Sequence, residues 1–140
     1  MRMRAWAGAV TLILVSASLL TGCGGVGEVA IQDCLPRPLR LTPASAAPGD
    51  TITVASGPAD CDLGYHDGTT YTMRIVLPHH QSPDTIVPVG VDGRFTARLT
   101  IPPEFPTGDA WVTVDGSPFD RCGDSSAGSC VGYTARLTIR

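Results

Sequence analysis

The chain has 140 residues, a formal charge of −3 and only 16% charged side chains. Its ten basic residues are all arginine and stand against thirteen acidic ones. The acidic balance argues against non-specific nucleic-acid binding, and the lack of lysine removes Schiff-base chemistry. In chain order, the first feature is the positive segment Met1-Arg2-Met3-Arg4, followed by an apolar run from Ala5 to Leu20 and then Thr21-Gly22-Cys23. This order of charge, apolar run and small residues is the anatomy of a secretory signal. The run is short for a membrane span, and no stop-transfer pattern follows it.

Leu20-Thr21-Gly22-Cys23 resembles the lipobox of bacterial lipoproteins. That resemblance implies a diacylglyceryl group on the Cys23 thiol and cleavage between Gly22 and Cys23. It also implies a protein anchored on the extracytoplasmic face of the cell membrane. Two acyl chains hold a protein durably, because each buried methylene contributes about 0.8 kcal/mol. Residues 1–22 then form the signal, 23–38 the lipidated cysteine and tether, and 39–140 the domain. Removing Arg2 and Arg4 with the signal leaves eight basic and thirteen acidic residues, a net charge of −5. Abundant Ala, Gly, Pro and Arg, with no Asn, indicate high-GC, actinobacterial-type codon usage.

Residues Gly24 to Asp33 are Gly-rich and without periodicity, a flexible coil spanning about 17 Å. Four cysteines follow Cys23: Cys34, Cys61, Cys122 and Cys130. An even number in a small exported domain reads as two disulfides. Three pairings are open, and local pairing of Cys34 with Cys61 and Cys122 with Cys130 is preferred. A zinc site would need a closer cysteine spacing than this.

From Leu39 onward apolar residues alternate with polar ones at period 2, which predicts strands. Leu39 and Leu41 open the series, and Ile52 and Val54 form the second strand. Tyr71 to Leu77 forms the third, Thr85 to Val91 the fourth and Phe95 to Ile101 the fifth. Ala110 to Val114 and Ala135 to Ile139 complete seven. Pro88 marks the fourth strand as an edge. Asp92-Gly93 predicts a tight hairpin joining the fourth strand to the fifth. Seven strands so punctuated read as an all-β, antiparallel sandwich.

Leu41-Thr42-Pro43, Pro48-Gly49-Asp50-Thr51-Ile52-Thr53-Val54 and Val91-Asp92-Gly93-Arg94-Phe95 together resemble bacterial immunoglobulin-like domains of surface proteins. So does Pro106-Thr107-Gly108-Asp109-Ala110-Trp111. The resemblance covers about residues 39–139 and implies a seven-stranded immunoglobulin-like sandwich serving as a stalk, adhesion module or binding module. It carries no catalytic residue. A constant-type arrangement follows, with strands one, two, four and five in one sheet and three, six and seven in the other. That layout gathers the N-terminus and the 56–69 and 116–132 loops at one pole. The 78–84 and 102–108 loops lie at the other.

The chemistry-bearing patterns are sparse. Asp60, Asp62 and Asp67, with Asp120 and Asp124 from the second loop of that pole, offer oxygen ligands to a cation. The spacing misses a calcium loop, since Gly64 takes the third ligand position and Tyr71 the place of the closing glutamate. His79-His80 sits in a loop, and His66 lies at the opposite pole. No Gly-x-Ser-x-Gly occurs. No catalytic residue, metal site or cofactor is therefore expected, and the chain reads as a non-enzyme.

Trp111 is out of phase with Ala110, Val112 and Val114. If those three face the core, Trp111 faces outward, with Arg74 and Arg136 on the same sheet face. This is a cation–π arrangement suited to a protein or glycan partner. A packed ladder that only stiffens the sheet is the alternative. The expectation is a membrane-anchored envelope lipoprotein acting as a binding or structural module. The competing expectation is a cation-binding or enzyme-accessory lipoprotein that uses the acidic pole.

Overall fold

In the stretch from residue 70 to 77, Tyr71, Met73, Ile75 and Leu77 are buried while Thr72, Arg74 and Val76 stay partly exposed. Side chains of an extended strand point alternately to its two faces, so this pattern produces a sheet with one wet face. A computed structural model describes residues 34–124 and 132–140. The expected signal, Cys23, the 24–33 tether and Cys130 lie outside the described residues. Among those described, no helix is long and apolar enough to cross a membrane.

Among the described residues nine strands occur: β1 (Arg40–Thr42), β2 (Ser45–Ala46), β3 (Thr51–Ser56), β4 (Thr70–Leu77), β5 (His80–Gln81), β6 (Thr85–Pro88), β7 (Phe95–Thr100), β8 (Gly108–Asp115) and β9 (Tyr133–Ile139). A 3-10 segment spans Pro118–Asp124. The described residues form nine strands where seven were expected. The two additions, β2 and β5, are two-residue ladders too short to show a period.

The strands form two sheets of a β-sandwich. The small sheet has the order β1-β3-β7, and the large one the order β2-β9-β8-β4-β5, with β6 also paired to β4. The chain changes sheets between Thr42 and Ser45, after which β2 runs parallel to the end of β9. Ile52, Val54 and Leu99 of the small sheet share one core with Tyr71, Ile75, Val112 and Leu137 of the large one. Burying each such aliphatic side chain contributes roughly 1.5–3 kcal/mol.

The fourth expected strand does not pair with the fifth. Instead β6 pairs with β4, placing Val87 opposite Tyr71 and Ile86 opposite Thr72. The large sheet therefore holds strands three, four, six and seven, and the small one holds one, two and five. The hairpin that prevails is the local one across residues 78–84. There the Ser82 amide donates to the Ile75 carbonyl (2.9 Å), and the Ile75 amide donates to Ser82 Oγ (2.8 Å). Those bonds fill the β4 ladder where β5 gives way to β6. Asp92-Gly93 does form a tight turn, with Gly93 N donating to the Gly90 carbonyl (2.8 Å) and Gly90 N to the Arg94 carbonyl (2.9 Å). That turn carries the chain from one sheet to the other. Gly93 holds φ at +82°, a conformation glycine tolerates without a steric penalty.

Candidate binding face

The outer face of the large sheet is built by β4, β8 and β9. Ala110, Val112 and Val114 are buried, so the intervening Trp111 points to solvent and is 48% exposed. Its direct cross-strand neighbours are Val76 on β4 and Arg136 on β9. Arg74 stands opposite Thr113, one step diagonal from the indole. The structure thus brings Trp111, Arg74 and Arg136 onto one face.

Both arginines are committed to carboxylates. Arg136 reaches Asp109 with two hydrogen bonds, Nη2 at 2.7 Å and Nε at 3.3 Å. Arg74 bridges two acids, Asp84 at 2.8 Å and Asp115 at 2.7 Å. Such forks fix guanidinium planes and consume their donors. Trp111 is left as an amphipathic surface between charge-neutralised flanks, with Ile86 exposed farther along the same sheet, on its β6 edge.

At one pole the segment 34–38, the 57–66 loop and the 3-10 segment meet. Cys34 and Cys61 form a disulfide, with Cα atoms 5.8 Å apart. Residues 34–38, read from sequence as part of the tether, are fastened there to the domain. Ser56 Oγ and Tyr133 Oη both donate to the Arg37 carbonyl, at 2.9 and 2.6 Å. Cys122 falls in the 3-10 segment, and Cys130, with which it was expected to pair, lies outside the described residues.

Behind this pole all three tyrosines of the chain cluster. Tyr65 and Tyr71 share a 2.7 Å hydroxyl–hydroxyl hydrogen bond. Tyr71 meets Phe95 and Tyr133 edge-on, and Phe119 stacks on Tyr133 at 5.1 Å. Burial raises the phenol pKa of each tyrosine above its ordinary value of 10.0, because the phenolate loses hydration. Sequence reasoning missed this cluster. Its members come from three strands, a loop and the 3-10 segment, and no spacing signals that they meet.

Asp60, Asp62 and Asp120 serve local contacts. Asp60 pairs with Arg37 at 2.5 Å. Asp62 accepts from the Gly64 amide (2.8 Å), and Asp120 from the Gly116 amide (2.5 Å). Among the described residues, no group of three His, Cys, Asp or Glu side chains is placed to hold a metal ion. At the opposite pole, His80 lies edge-on to Phe105 with centroids 5.9 Å apart. His79 adopts a positive φ of 64° in the tight turn before β5. No family model, curated protein or solved structure matches the chain.

Proposed function

We propose that this chain is an envelope lipoprotein of actinobacterial type. Cys23 anchors it to the extracytoplasmic face of the cell membrane. Its immunoglobulin-like domain works by binding, without catalysis. The partner is an envelope protein or glycan, met through the outer face of the large sheet. One observation carries the reading: Trp111 is half exposed on an ordered strand while both neighbouring arginines are satisfied by carboxylates. A large aromatic held at the surface by rigid elements supplies contact area at low entropic cost. The basic-then-apolar start and the Leu-Thr-Gly-Cys sequence support the anchor. The two-sheet architecture, with its chain crossing between sheets after Thr42, supports the immunoglobulin-like assignment.

The test is photo-crosslinking in cells with benzoylphenylalanine at position 111, and at position 50 as a control remote from this face. The reading predicts one discrete adduct from position 111 and none from position 50. Absence of an adduct at 111, or identical adducts from both sites, contradicts it.

A further inference from the structure

The two outer faces of the sandwich differ in charge. On the large sheet each arginine meets a carboxylate. The outward residues of the small sheet include no acid at all. Arg40 on β1 and Arg98 on β7 are both exposed, and neither forms an ion pair with a described carboxylate. Among the described residues, the Arg94 guanidinium, just before β7, pairs with Asp92 at 3.8 Å. Around them the face is hydroxyl-bearing, with Thr53, Thr96 and Thr100 among its outward residues.

The register sets the spacing. Arg94 precedes the strand that carries Arg98, four residues or about 13 Å back along the chain. Arg40 is level with Ala55 and, through it, with Thr96, two strand spacings or about 10 Å across. At its β1 end the face opens into a groove of about 710 Å³ bordered by Arg40, Arg37 and Asp60, where Asp60 pairs with Arg37 and leaves Arg40 as the unpaired charge among the described residues. This gives a cationic, hydroxyl-rich strip on a chain whose net charge is −3. A localised field of sign opposite to the whole protein selects a partner by charge complementarity.

We infer that the small sheet binds a linear anionic glycan, a sugar polymer with repeating carboxylate or phosphate groups. The arginines meet the charges, and the threonine hydroxyls exchange hydrogen bonds with sugar hydroxyls. A flat, open face accommodates an extended chain better than a small anion, which would need an enclosing pocket. The choice of a glycan rests on the envelope placement proposed above, while the cationic face does not. This site is separate from the Trp111 face, so the two can be tested apart.

The experiment measures binding of the full chain, purified in detergent, to soluble polygalacturonate, with neutral dextran as control. A second arm uses phosphatidylcholine vesicles containing phosphatidylglycerol. The inference predicts binding to polygalacturonate, weakened by salt, and no binding to dextran. The double variant R40S/R98S should lose affinity about tenfold, since exposed charge pairs are individually weak. R40K/R98K should keep most of the affinity, which separates charge from misfolding. Gln81→Ala, exposed on β5 of the other sheet, should leave it unchanged. The Trp111 reading is tested by its own crosslinking experiment, so failure of either is distinguishable from failure of the other. Equal binding to dextran overturns the inference. So does full affinity in R40S/R98S, or tighter binding to the anionic vesicles than to polygalacturonate.

Discussion

The phenol of Tyr133 donates a 2.6 Å hydrogen bond to the main-chain carbonyl of Arg37, joining the last strand to the first described segment across 96 positions. Ser56 Oγ fills the second lone pair of the same oxygen. A pull arriving from the N-terminal side therefore reaches β3 and β9 before it reaches β1. Tyr133→Phe keeps the ring stack with Phe119 and removes only the donor. It should cost about 1 kcal/mol in urea unfolding. Adding Ser56→Ala strips the carbonyl of both partners and should cost more than the sum of the single changes.

The Cys34–Cys61 bridge closes a separation of 27 residues. Removing it frees that loop in the unfolded chain, at a cost of about 3–4 kcal/mol. The double variant C34S/C61S should show a drop of that order in urea denaturation. A drop below about 1 kcal/mol would mean that the Arg37 contacts hold the segment without the bridge.

The tyrosine cluster makes stability sensitive to alkali. Burial is the leading cause that raises all three phenol pKa values above 10.0. The unfolded chain loses these protons near pH 10.0 while the native state keeps them. Stability is thus fully present below pH 10.0 and falls as pH rises above it toward the raised native values. Absorbance at 295 nm should show little tyrosinate in the folded protein just above pH 10.0. It should then rise together with loss of native circular dichroism. A full tyrosinate signal at pH 10.5 with intact structure would refute this.

Gly93 combines a positive φ of 82° with a close approach to Leu63: a Cβ there would collide with Leu63 Cδ1. Leu63 is itself buried. Gly93→Ala should therefore destabilise by about 2 kcal/mol, through strain and displacement of Leu63. Gly64→Ala has a positive φ but open space around it, and should cost less when both variants are compared by urea unfolding.

Much of this architecture was legible because a strand with one buried face writes its period into the sequence. The alternation of Tyr71, Met73, Ile75 and Leu77 marked β4. The opposite phase of Trp111 marked it as a surface residue. Strand partners were not legible in the same way. Alternation states which side of Thr85–Pro88 faces inward, and is silent on whether its neighbour is β4 or β7. Asp92-Gly93 correctly signalled a tight turn, but a turn can end a hairpin or carry the chain between sheets. Of three open cysteine pairings, the preference for local pairing named Cys34–Cys61, and that bridge forms. Asp115 lies 41 positions from Arg74 and Asp109 lies 27 from Arg136, so the paired state of the candidate face emerged only from the register.

The account as a whole stands on an anchored domain. The most direct test is intact mass and N-terminal peptide analysis of the protein isolated from the membrane fraction of its own cells. The account predicts a chain beginning at Cys23, with a diacylglyceryl group on its thiol and residues 1–22 gone. A chain that retains Met1, or one cut elsewhere with an unmodified Cys23, would contradict it.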